Sequence, residues 1–208
     1  MKMELVFILD RSGSMSGLEK DTVGGFNSML EKQKNTEGET LVSTVLFDHE
    51  TEVIHDRINA DAVAPLTEET YFVRGSTALL DAVGDAIHHI GNIHKYARRE
   101  DVPDKTVFVI TTDGMENASH RYDYDRVKHM ITRQQEKYGW EFVFLGANID
   151  AAKEAGRMGI RAEFACDYHA DAFGVSATFE AMDDCFSELR ARRPLSSNWK
   201  KKVERDKI

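Results

Sequence analysis

Five consecutive apolar residues, Leu5-Val6-Phe7-Ile8-Leu9, run without polar interruption into Asp10, and the chain then turns through Arg11-Ser12-Gly13-Ser14. An unbroken apolar run of this kind reads as a strand buried on both faces, the mark of a parallel sheet covered by helices. In open α/β sheets the crevice that takes ligands lies outside the carboxyl ends of the strands. Asp10, Ser12 and Ser14 are therefore expected on a loop at that edge. All three offer oxygen, which suits a hard cation such as Mg2+, a metal that takes six ligands at about 2.0 to 2.1 Å and usually keeps some water. Serine and glycine are also ordinary turn residues, so the triplet alone does not separate a metal loop from a plain strand-to-helix turn.

The pattern then repeats along the chain. Residues 16–33 carry Leu18, Val23, Phe26 and Leu30 near helical spacing, with Glu19 and Asp21 in the first turn where the helix dipole favours acids. Gly24-Gly25 would weaken an isolated helix, and their presence predicts a close approach of this helix to the strands. Residues 40–47 read as a strand, and residues 51–54 return beside it as an antiparallel edge. Residues 56–76 form a long irregular connection ending in Arg74-Gly75-Ser76, of a length that is commonly functional. The next helix is expected to take Ser76 or Thr77 as its cap and runs through Leu79, Val83, Ile87, Ile90 and Ile93. Residues 106–112 are a second apolar strand, and it too stops at an acid, Asp113, followed by Gly114. A helix over 123–138, a strand over 140–145, a short helix over 151–158, a short last strand over 162–165 and an amphipathic helix through Val175, Phe179, Met182, Phe186 and Leu189 complete the chain.

Strands separated by helices give a doubly wound, mostly parallel six-stranded α/β sheet with helices on both faces, and right-handed crossovers favour the order 3-2-1-4-5-6 with strand 3 as the antiparallel edge. In that order strands 1 and 4 are neighbours where the winding reverses, so Asp10 and Asp113 face one crevice and Thr77 reaches it from the helix that feeds strand 4. Asp10, Ser12, Ser14, Thr77 and Asp113 are the expected metal ligands, converging by shared geometry.

Composition narrows the class. The chain has 208 residues, 41% of them hydrophobic, enough for one sizeable core. The apolar stretch before Asp10 is too short for a signal-peptide core or a membrane span, and two cysteines, Cys166 and Cys185, give no disulfide framework, so a cytoplasmic, reducing setting is expected. Net charge is −9, yet residues 190–208 hold eight Lys/Arg against two Asp/Glu, a surplus of six that leaves the other 189 residues at −15. An acidic body with a basic tail argues against nucleic acid. The tail, which contains Trp199, is expected to be solvated and partly disordered.

The residues Asp10-x-Ser12-x-Ser14, the distant Gly75-Ser76-Thr77 and Thr112-Asp113-Gly114 resemble the metal-ion-dependent adhesion site of von Willebrand factor type A domains. The resemblance covers residues 3 to about 190, which sets a domain at 1–190 and a basic tail at 191–208, and the segment from Trp140 to Asp150 is similar to small stand-alone bacterial and phage members. It implies that those five residues hold Mg2+ or Mn2+ and that the ion engages an Asp or Glu of a partner protein. It further implies that exchange of the direct ligand between Asp113 and Thr77 accompanies displacement of the last helix, here residues 171–190. Arg11, Met15, Arg74 and Met115 are candidate rim contacts.

The rival is a Mg2+-dependent phosphotransferase-like hydrolase. Enzymes of that type with a nucleophilic aspartate at a strand end need a second carboxylate two residues on, where this chain has Ser12, and neither a P-loop nor a nucleophile elbow occurs. A binding module is therefore expected, not an enzyme. His88, His89 and His94 lack zinc-site spacing, Cys166 and His169 lack a second ligand pair, and Asn117-Ala118-Ser119 matches a glycosylation acceptor with no use in a cytoplasmic chain.

Overall fold

The computed structural model describes residues 1–193 and 197–204. Its strands are β1 (Lys2–Asp10), β2 (Glu39–Phe47), β3 (Thr51–Asn59), β4 (Lys105–Thr112), β5 (Glu141–Ala147) and β6 (Ala165–Tyr168). Its helices are α1 (Glu19–Lys34), α2 (Leu79–Tyr96), α3 (Tyr124–Tyr138), α4 (Ala151–Arg157), α5 (Ala172–Arg190) and α6 (Lys201–Glu204). The six strands form one sheet in the order β3-β2-β1-β4-β5-β6, parallel throughout except for β3, which pairs antiparallel with β2.

Alternation along β1 distributes the two faces of the core. Phe7 meets Phe26 of α1 and Phe186 of α5 edge-on, with centroids 5.3 and 6.1 Å apart. On the opposite face Phe108 stacks on Trp140 and Phe142, and His94 of α2 lies edge-on to Trp140. After their first residues β1, β4 and β5 are buried along their whole length, which is why they read as unbroken apolar runs.

Several boundaries differ from expectation. β3 continues to Asn59, so residues 56–59 belong to the strand; its outer side is exposed, its register with β2 shifts around Thr44, and Arg57 takes φ 52°, all of which blur the period-two signal of an edge. Residues 162–164 form a 3-10 turn anchored by buried Phe164, and the last strand starts at Ala165, in register with Phe144. The basic stretch is not solvated throughout. Trp199 is 1% exposed and donates Nε1–H to the Glu163 carbonyl at 3.2 Å, and Val203 is buried. Residues 194–196 and 205–208 of that tail lie outside the described residues.

The expected close approach at Gly24-Gly25 is made by Gly25 alone, and to a helix, not to the strands: a Cβ on Gly25 would overlap the Phe179 ring of α5, whereas Gly24 is exposed and faces open space. Gly25→Ala is therefore expected to destabilise by about 1 to 3 kcal/mol through overpacking, and Gly24→Ala to stabilise by up to about 1 kcal/mol through helix propensity. Urea unfolding of the two variants checks the opposite signs.

Candidate metal centre

β1 and β4 are hydrogen-bonded neighbours, and the turns that follow them bring their terminal acids together. Asp10 is 1% exposed; its Oδ1 accepts from the Ser12 amide at 2.7 Å and its Oδ2 from the Thr112 hydroxyl at 2.6 Å, while its carbonyl accepts from the Tyr71 hydroxyl at 2.5 Å. The Ser12 and Ser14 hydroxyls are 3.0 Å apart, and Ser14 donates to Asp113 Oδ1 at 2.5 Å. Gly114 closes the ring, since a Cβ placed on it would sit 3.3 Å from both Ser14 Oγ and Thr77 Oγ1. All five expected residues thus meet at one rim, and Ser14 is the exposed member through which the rim opens to solvent.

The electrostatics of this rim are unbalanced. Burial pushes Asp10 above the ordinary carboxylate range, hydrogen bonds from Thr112 and Ser12 oppose it, and the charge of Asp113 adds to the rise. Burial likewise raises Asp113 against its bond from Ser14. Asp113 Oδ2 is buried with no hydrogen-bond partner. Among the described residues no cationic side chain pairs with either acid, because the nearest in sequence, Arg11, turns away to bind Asp48 at 2.9 Å and Glu52 at 2.7 Å. Two buried like charges, an orphaned carboxylate oxygen and three hydroxyls form a donor set that a hard dication fits and that no cationic side chain among the described residues neutralises.

Three expectations around the site are corrected. Thr77 does not cap α2: the capping position is Ala78 and makes no side-chain cap bond. Arg11 is not a rim contact but fully buried, since Asp48, itself buried, accepts from Arg11 Nε and from Arg74 Nε at 2.8 Å. Met15 is buried too, whereas Met115 is 62% exposed and Arg74 stands at the surface. Sequence reasoning missed Asp48, which lies in the turn between β2 and β3, and Asn117, whose only signal was a glycosylation-acceptor motif. Asp48, His49 and Glu50 bring ligand atoms within 4.8 Å of one another, but the two guanidiniums on Asp48 already satisfy its charge.

No family model and no curated protein sequence matches the chain. Solved structures do. Proximal thread matrix protein 1 from the mussel byssus, in a form with zinc in its metal-ion-dependent adhesion motif, superposes with a TM-score of 0.58 at 15% identity over 87% of this chain and 44% of its own. A von Willebrand factor type A protein from Catenulispora acidiphila gives 0.59 at 15% identity over 88% of this chain and 42% of its own. The chain therefore spans less than half the length of either. The von Willebrand factor domain of the type V pilus tip protein Mfa5 from Porphyromonas gingivalis gives 0.59 at 12% identity, over 89% of this chain and 95% of its own. Together with the strand order and the rim of oxygen donors, these likenesses show that the chain has the von Willebrand factor type A fold.

Proposed function

We propose that Asp10, Ser12, Ser14, Thr77 and Asp113 hold a Mg2+ or Mn2+ ion and that residues 1–190 act as a metal-dependent module engaging an Asp or Glu of a partner protein. The observation that carries this reading is the pair of buried, unneutralised carboxylates with Asp113 Oδ2 left without a partner. When bound, the ion offsets two negative charges and offers a coordination position to an incoming carboxylate. Asp10 and Asp113 supply the charge, and the three hydroxyls complete the cradle without neutralising the ion further. Met115 is exposed two residues after Asp113, and exposed Phe72 lies against the guanidiniums of Arg11 and Arg74 just beyond Asp10, so a partner's acid arrives beside apolar side chains. No helix among the described residues is long and apolar enough to cross a membrane. The buried thiols of Cys166 and Cys185 support a cytoplasmic setting.

The test is retention of a displayed peptide library with a central Asp or Glu on the immobilised protein. Retention in Mg2+ that is released by EDTA, and absent for a matched library with central Asn or Gln, is the expected result. Equal retention in EDTA, or Mg2+-dependent turnover of generic phosphate esters that Asp10→Asn abolishes, would overturn it.

A further inference from the structure

We infer that Asn117 is the positioning residue that presents the Thr77 hydroxyl to the metal centre, an inference that rests on Thr77 being a ligand as proposed above. The first turn of α2 takes its partners from the loop after β4, not from its own preceding residues. Leu80 N–H donates to Glu116 Oε2 at 2.8 Å and Asp81 N–H to Ser119 Oγ at 3.0 Å. Glu116 is itself held by the amides of Ala118 and Ser119, at 2.9 and 2.7 Å, and by the Ser119 hydroxyl at 2.8 Å. Asp81 answers from the helix, accepting from the amides of His120, Arg121 and Tyr122 at 2.9 to 3.0 Å. These bonds fasten residues 116–122 to the start of α2 and satisfy helix donors that a local cap otherwise serves.

Within this fastening Asn117 grips Thr77 at two points. Asn117 N–H donates to the Thr77 carbonyl at 3.0 Å, and Thr77 N–H donates to Asn117 Oδ1 at 2.8 Å. Both bonds fall on the Thr77 main chain. The residue is fixed in place while its hydroxyl, not spent on capping, stays beside Gly114 and Ser14. The second bond needs a side-chain acceptor one carbon beyond Cβ, which Asn and Asp provide and Ala does not. The same short loop begins with Asp113, so Asn117 ties the segment bearing Thr77 to the loop that bears Asp113.

Asn117 is exposed, so its truncation leaves no core cavity. The experiment is a double-mutant cycle in which Mg2+ affinity is measured by calorimetry for wild type, Asn117→Ala, Thr77→Ala and the double variant, with Asn117→Asp as the conservative replacement. Asn117→Ala is expected to weaken Mg2+ binding about 10-fold or more, Asn117→Asp to restore it, and Asn117→Ala to have no further effect once Thr77 is Ala. In the metal-free protein, amide exchange at Thr77 should accelerate in Asn117→Ala while the melting temperature holds. Undiminished affinity in Asn117→Ala beside a weakened Thr77→Ala, or effects that simply add, would overturn the inference alone. A Thr77→Ala variant that binds as wild type would instead remove Thr77 from the ligand set, and the inference would fall with it.

Discussion

Asp113→Asn is expected to abolish Mg2+ binding and, in the absence of metal, to raise the melting temperature. The two effects share one cause. Asp113 is buried beside a second buried acid, and its Oδ2 has no partner, so its ionised form is disfavoured in the metal-free fold. Asn keeps the volume and an oxygen to accept from Ser14, and removes the charge. A carboxyl whose pKa is raised on folding costs stability where it is ionised: the cost is absent below the ordinary Asp range, grows as pH rises towards the raised value and is complete above it. The stabilisation by Asn should therefore grow as pH rises above the ordinary Asp range and vanish in acid. With Mg2+ the order reverses. Wild type gains about 2.7 kcal/mol when free Mg2+ stands at 100 times its dissociation constant, and the variant, having lost one of two anionic ligands, should lose more than the roughly 10- to 100-fold that removal of a supporting group costs. Melting curves in EDTA and in Mg2+ decide the matter, and a variant that Mg2+ stabilises as much as wild type would refute the site.

What the sequence discloses and what it hides divide along one physical line. β1 and β4 announce themselves because strands buried on both faces need a continuous apolar run, and each run stops at the acid that marks the carboxyl edge, so Asp10 and Asp113 could be placed in one crevice from strand order alone. Features that depend on partners far along the chain were not legible. Thr77 looked like a cap because a hydroxyl before an apolar period usually is one; the groups that serve α2 instead, Glu116 and Ser119, are 36 and 38 positions away from the amides they accept from. Arg11 looked exposed because guanidiniums usually are, and its burial depends on Asp48 in another turn. Gly25 was read as an approach to the strands, whereas its partner Phe179 lies on α5, and no local pattern ties the two. Trp199 was outweighed by the lysines around it, although one indole ring buries more apolar surface than a neighbouring ammonium protects.

Glu4→Gln is expected to destabilise the fold by about 3 kcal/mol or more while leaving Mg2+ affinity unchanged. Glu4 is fully buried at the opposite end of β1 from Asp10, six residues or roughly 20 Å away along the strand, too far for the two sites to share partners. Its carboxylate accepts from Arg57 Nε, from His94 Nε2 at 2.6 Å and from the Thr106 hydroxyl at 3.3 Å, joining β3, α2 and β4 through one side chain. Burial alone pushes Glu4 up, but the hydrogen bond and charge of His94, then those of Arg57, outweigh it and hold the carboxyl below the usual range. The sign is therefore opposite to that at Asp113. The stabilisation is present above the ordinary Glu range and is lost as pH falls below about 4.5. Gln offers one oxygen where three donors converge and turns an N–H2 towards the rest, and Arg57 Nη2, already buried without a hydrogen-bond partner, loses the charge that balanced it. Urea unfolding at pH 7 should show the full loss, and the gap between variant and wild type should narrow in acid; a difference under 1 kcal/mol at pH 7, or one that does not change with pH, would sink the argument. A buried acid that folding surrounds with cationic donors holds the sheet together, whereas one that folding leaves beside another acid carries a charge the fold itself does not offset, and in this chain the two kinds stand at opposite ends of β1.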